Sequence, residues 1–291
     1  MASYESGDER HRFSGPHGLG VDHVSIDEAL SNNWLDVWYQ PKIDLRRKCL
    51  AGAEALVRMN HPQAGLLWPE DYLSALDEEN LLKLSEYALV TSLRHWTIFA
   101  EAGFGLRLSV NVPANLLPKI PVGALVAAHR PQSDKWPGLI LELTEDQIVR
   151  DLPAIRQIAK EFKTSAIGLA IDEFGAGYSS SSSLRDLPFT ELKLHALFVK
   201  NCAVDVTNAA ICQTAIDLAH RFGSVVVAEG IDAIADLQAL TVMGCDLGQG
   251  MLLAPPLPKE RFLDALRQHS KKPRAAGQAT SGRRKHRRWR P

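Results

Sequence analysis

From about residue 34 the chain alternates short apolar runs with longer amphipathic segments. The runs read LDVWYQP, AGAEALVRM, LRLSVNV, GLILELT, AIGLAIDEF, FTELKL, SVVVAEG and, more weakly, CDLGQGMLL. Runs this short and this rich in Val, Ile and Leu predict strands buried on both faces. Helical spacings lie between them. One is Leu152, Ile155, Ile158 and Phe162, and another is Ile211, Ala215, Leu218 and Phe222. A third is expected to start at Asp232 as N-cap, to pass Leu237 and Leu240, and to stop at Gly244. Eight strands with intervening helices over roughly 240 residues predict a single-domain α/β fold, a (β/α)8 TIM-like barrel. The alternative is an open doubly wound sheet. That fold needs a glycine-rich phosphate turn after its first strand, and YQPKIDL is not one.

The polar residues at the ends of these runs change the picture from fold to chemistry. In chain order they are Glu54, Asn111, Glu142 with Glu145 just beyond, Asp172 and Glu173, Lys193 and His195, Glu229, and Gln249. In a barrel these ends surround one mouth, where active sites sit. Four or five carboxylates in a ring repel one another unless cations join them. Hard oxygen donors with one amide suit Mg²⁺ or Mn²⁺. Two such ions about 4 Å apart serve phosphoester hydrolysis by an in-line water. Each residue alone has an ordinary explanation. A strand-end acid is often a helix N-cap, Asn111 a turn residue, Lys193 a solvated side chain, and Gly175 with Gly177 only a turn. His195 reads equally as a structural histidine or a ligand. Their joint occurrence at successive strand ends points to a site.

Composition bounds the rest. The 291 residues are 45% hydrophobic, enough for a substantial core. No run reaches 18 apolar residues, so no transmembrane helix is expected. Residues 1–24 read as a polar, disordered lead with no apolar segment of the secretory kind. Cys49, Cys202, Cys212 and Cys245 are scattered, which fits a reducing cytoplasm better than a zinc or disulfide framework. Nine of the 33 Lys and Arg residues fall in 271–291, which holds no Asp or Glu. The 24 left face all 34 acids, so an acidic body of net −10 carries a basic tail. That tail, over 269–291, is expected to be either a solvated flexible end or an arm for nucleic acid or anionic membrane.

The runs also stand in a familiar order. YQPKIDLRRKCLAGAEALVRMNHP, SVNVPANLL, LELTE, DEFGAGYSS, LKL, VVAEGID and GCDLGQG resemble the EAL-domain family of cyclic di-GMP phosphodiesterases, with Glu54-Ala55-Leu56 as the eponymous triplet. The resemblance spans roughly residues 25–268, which are expected to be the barrel domain. It implies hydrolysis of cyclic di-GMP to linear pGpG with Mg²⁺ or Mn²⁺, lowering a second messenger in bacterial signalling, and it implies a homodimer. Carried over position by position, Glu54, Asn111, Glu142 and Asp172 hold a first metal. Asp172 also faces a second, with Glu173 and His195. Lys193 lies near the attacking water, Glu229 belongs to the same cluster, and Gln249 orients the water or its neighbours. Glu145 steadies the loop after Asp172. Arg58 contacts phosphate, and Gln40 and Leu56 wall the substrate site.

Two departures fall around the second metal. The family usually has two aspartates where this chain has Asp172-Glu173, and Lys-x-Asp where it has Lys193-Leu194-His195. Glutamate adds about 1.5 Å of reach, large against Mg²⁺–oxygen distances of about 2.0–2.1 Å. Imidazole suits Mn²⁺ better than Mg²⁺. The expectation is therefore either a surviving second site that prefers Mn²⁺, or a weak one. A weak site would leave a slow enzyme, a cyclic di-GMP receptor or a protein-binding regulator. Lesser departures are the serine run Ser179–Ser183, Asp232 for a common glutamate, and Met251 for a common aromatic.

Overall fold

The structure is a computed structural model that describes residues 25–130, 136–162, 165–175 and 187–271. The N-terminal lead, the basic tail from 272 onward and the serine run lie outside the described residues.

All eight apolar runs become barrel strands. These are β1 (Leu35–Asp44), β2 (Cys49–His61), β4 (Arg107–Asn111), β5 (Leu139–Thr144), β6 (Ile167–Phe174), β7 (Glu191–Leu194), β8 (Val225–Ala228) and β9 (Leu247–Gly248). From β2 through β9 each neighbour pairs in parallel. β1 then closes the ring, antiparallel to both β2 and β9. The reason for this reversal lies in the connection. A parallel return needs a dozen residues or more, whereas only Leu45–Lys48 separate β1 from β2. Asp44 builds that turn, its carboxylate accepting from Arg47 N at 2.6 Å and its carbonyl from Lys48 N at 2.7 Å. Two short strands extend the edges, β3 (Gly65–Leu67) on β2 and β10 (Leu257–Pro258) on β1.

The helices cover the barrel. The longest, α3 (Glu78–Glu101), follows the short α1 (Ile26–Ser31) and α2 (Pro69–Tyr72) and starts at Asp77, whose side chain accepts from Asn80 N. α4 (Val122–His129), α5 (Glu145–Arg150) and α6 (Leu152–Phe162) lead to β6. After it come α7 (Ala196–Val199), α8 (Val206–Arg221), α9 (Ile234–Met243) and α10 (Lys259–Lys271). The helical spacings expected at 152–162 and 211–222 fall on α6 and on α8 with its C-cap. α9 stops at Gly244, which takes the left-handed cap conformation at φ 90°. The expected N-cap needs correction. Ala233 caps α9, because the Asp232 carboxylate is engaged elsewhere, accepting from Met251 N at 3.1 Å.

The main core fills the barrel and the layer beneath its helices, with Phe99 packed edge to face against Tyr39 and Phe262 and with Trp96 buried in the same cluster. The GQG near β9 has a packing cause. A Cβ at Gly248 would stand 2.7 Å from Ile231 Cδ1, and one at Gly250 would stand 2.3 Å from Ile231 N. The two glycines let Gln249 N reach Ala228 O at 2.9 Å and turn its side chain into the barrel mouth. No described helix is long and apolar enough to cross a membrane.

Candidate active site

Register places the polar strand ends side by side. Asn111 lies opposite Glu142, Thr144 opposite Asp172, and Gln40 opposite Glu54. Lys193, one of the largest fully buried side chains, sits at their centre. Its Nζ meets Glu142 Oε2 at 2.5 Å, Glu229 Oε1 at 2.8 Å, Asp172 Oδ2 at 2.9 Å and Glu54 Oε2 at 3.5 Å. Asn111 Nδ2 donates to Glu54 Oε1 at 2.7 Å. Gln249 Nε2 donates to Glu54 Oε2 at 2.6 Å and to Gln40 Oε1 at 2.9 Å. The structure thus gathers Gln40, Glu54, Asn111, Glu142, Asp172, Lys193, Glu229 and Gln249 into one network.

Four carboxylates around one ammonium leave the mouth short of positive charge, and the titration behaviour follows. Burial pushes the Glu54 carboxyl up, and the neighbouring Glu142 adds to that push. Burial also pushes Glu229 up, to about 8, with Asp172 and Glu54 opposing the relief that Lys193 gives. Glu229 keeps 22% of its side-chain surface exposed, which softens the push. Burial would raise Glu142 as well, but Lys193 and Lys42 override it and hold that carboxyl well below its usual range. Burial would lower Lys193. Glu142, Glu229, Glu54 and Asp172 reverse the sign and hold it well above a free lysine.

Two expected ligands stand apart from this network. Glu173 is exposed and sits in left-handed backbone at φ 55°, its N–H held by Asp172 Oδ1 at 2.7 Å. His195 is half-buried and caps α7, its Nδ1 accepting from Leu197 N at 3.1 Å. Glu145 is buried at the start of α5, and its Oε2 accepts from Gly175 N at 3.1 Å on the segment leaving β6. Along β2, Glu54, Leu56 and Arg58 share one face by alternation. Leu56 is half-buried. Arg58 lies with its guanidinium 4.2 Å from the Trp68 ring centre and 5.8 Å from that of Trp38. Its Nη1 donates to Val57 O, and its buried Nε has no partner among the described residues.

Two pairs escaped the sequence reading. Lys42 Nζ bonds Glu142 Oε1 at 2.8 Å and Glu191 Oε2 at 2.7 Å, all buried. The signal was there. Lys42 is two residues from Gln40 and Glu191 two before Lys193, so each shares an inward face with a residue already singled out. Trp38 and Trp68 flank Arg58 from a strand and a loop far apart in sequence, and that pairing is tertiary.

The donor set fits a hard divalent cation. It is all oxygen, carries excess negative charge, and includes a buried acceptor, Gln249 Oε1, with no partner among the described residues. As they stand, the carboxylates are drawn onto Lys193, and no group of three His, Cys, Asp or Glu among the described residues is arranged around a metal position.

Comparison with known proteins agrees with this architecture. The EAL domain model matches residues 23–256. The chain is 34% identical over 247 residues to the cyclic di-GMP phosphodiesterase PA2567 of Pseudomonas aeruginosa, covering 84% of this chain and 42% of that protein. It is 31% identical over 247 residues to the cyclic di-GMP phosphodiesterase RocR of the same organism, covering 83% of this chain and 62% of RocR. The chain therefore spans less than two thirds of the length of these relatives. Among solved structures, the phosphodiesterase PaMucR in complex with c-di-GMP superposes with a TM-score of 0.75 at 32% identity, over 81% of this chain and 97% of that one. With its closed barrel, its ordered strand-end motifs and a family match over most of its length, this chain belongs to the EAL domain family.

Proposed function

We propose that this chain hydrolyses cyclic di-GMP to linear pGpG with Mg²⁺ or Mn²⁺. The observation that carries the proposal is the convergence of Glu54, Asn111, Glu142 and Asp172 around Lys193 at the mouth of an EAL barrel. In this proposal those four hold the first cation, and Asp172 with Glu173 and His195 faces the second. Bound divalent cations supply Lewis-acid polarisation of the phosphodiester and of water. In the reaction a water oxygen adds to one phosphorus, the P–O3′ bond breaks, and the 3′ oxygen leaves with a proton. Lys193 offsets the charge that builds on the phosphoryl oxygens and fixes the carboxylates around it. Gln249 holds Glu54 and orients water through its free Oε1. Arg58, its guanidinium against the Trp68 ring and near that of Trp38, contacts phosphate, with Gln40 and Leu56 as walls. We place the reaction in the cytoplasm, in keeping with four buried cysteines, none in a disulfide.

A second proposal, a receptor with little turnover, is favoured by Glu173 and His195, whose exposed and capping placements weaken the second cation site. The two separate by variant. Glu142→Gln in the enzyme loses turnover by orders of magnitude while nucleotide binding persists. A receptor shows little or no turnover in the parent chain to lose.

A further inference from the structure

The inner half of Glu142 is as firmly held as its outer half. Glu142 Oε2 faces Lys193 at the mouth, while Oε1 accepts from Lys42 Nζ at 2.8 Å on the floor side. Lys42 is itself tied to Glu191 at 2.7 Å, and both side chains are under a tenth exposed. Charges alternate down the barrel axis as Glu191, Lys42, Glu142 and Lys193. Beneath them a cavity of about 300 Å³ is lined in part by Lys42, Gly52, Ser109 and Glu191.

From this we infer that Lys42 is a positioning residue that sets the cation selectivity of the mouth by withholding one oxygen of Glu142. The inference rests on the metal site of the proposed function. Calcium favours six to eight oxygens and accepts both oxygens of one carboxylate, whereas smaller ions hold six donors at short distance. With Oε1 clamped by Lys42, Glu142 offers the mouth a single oxygen, which disfavours the larger ion. Glu191 neutralises Lys42, so the clamp costs the mouth none of its negative charge.

The test uses the full chain without nucleotide. Free Mn²⁺ is followed by electron paramagnetic resonance during titration, and Ca²⁺ is then added as competitor. The double variant Lys42→Met with Glu191→Leu replaces the buried pair by apolar groups of similar volume, a change that folds tolerate. The expected result is a Ca²⁺ affinity that rises about tenfold relative to Mn²⁺, in the range by which groups around a metal's ligands tune a site. Glu191→Gln alone leaves Lys42 on Glu142, so its ratio should match the parent chain. An unchanged ratio in the double variant overturns the clamp, as does an equal shift in Glu191→Gln. Absence of Mn²⁺ binding in the parent chain overturns the metal site itself, and the clamp with it.

Discussion

Replacing Lys193 by methionine removes the one ammonium that touches Glu54, Glu142, Asp172 and Glu229. Lys193 is 1% exposed, so little water can enter to screen what remains. Breaking a buried ion pair from one side costs about 3–5 kcal/mol. For a domain of this size each kcal/mol lowers Tm by about 2–4 °C, so the fall should be about 6–20 °C. The strain comes from carboxylates facing one another, and protonation or a cation relieves it. The deficit should therefore be largest at pH 8 in EDTA and shrink at pH 5.5. Without the Lys193 ammonium the variant's carboxylates bind Mn²⁺ more tightly than the parent's. At a fixed Mn²⁺ concentration, about 100 times the variant's Kd, the ion therefore contributes about 2.7 kcal/mol to the variant, less to the parent, and narrows the gap in Tm. Thermal unfolding followed by circular dichroism in EDTA, at both pH values and with Mn²⁺, measures all three. An unchanged Tm in EDTA, or a deficit independent of pH, refutes the charge balance drawn for the mouth.

Other consequences are open to measurement. Burial pushes the Glu229 carboxyl up toward about 8 in the fold, a push its 22% exposure softens, against an ordinary value near 4.3. The native state then binds more protons than the unfolded chain between those values, so metal-free stability falls as pH rises through that window. Cation binding expels that proton, so Mn²⁺ affinity should climb from pH 6 to 8, and Glu229→Gln should flatten the climb. Glu173→Asp with His195→Asp should raise Mg²⁺-dependent turnover. The first change shortens the side chain and places in left-handed backbone a residue that tolerates it better. Steady-state rates in Mg²⁺ and in Mn²⁺ check it, and no gain in Mg²⁺ counts against a weakened second site. Trp68→Ala removes the closer ring from Arg58. Such a stack is worth about 0.5–2 kcal/mol, so KM for cyclic di-GMP should rise roughly 2- to 30-fold with little change in kcat.

The parts legible in the sequence were those set by local pattern. Eight apolar runs gave eight barrel strands because strands covered on both faces must be apolar throughout. The strand-end acids were visible because a charge that closes an apolar run is costly without a partner. The reversal of β1 was in principle readable from the four residues after Asp44, too few for a crossover. Other features depend on side chains meeting across the barrel. Alternation along β1 and β7 puts Lys42 and Glu191 on inward faces, but that Lys42 meets Glu142 and Glu191, 100 and 149 residues away, is settled only by the closed barrel. Asp232 misled for the same reason, since its natural role as a cap lost to Met251 N nineteen residues on. Glu173 and His195 were marked as departures by motif, but their placement outside the Lys193 network came from backbone conformation and from the start of α7.

The most direct measurement is incubation of the full chain with cyclic di-GMP in Mg²⁺, in Mn²⁺ and in EDTA, with the products separated by chromatography. The account predicts linear pGpG in the presence of either cation, more of it with Mn²⁺, and none in EDTA. Intact cyclic di-GMP under all three conditions would contradict it.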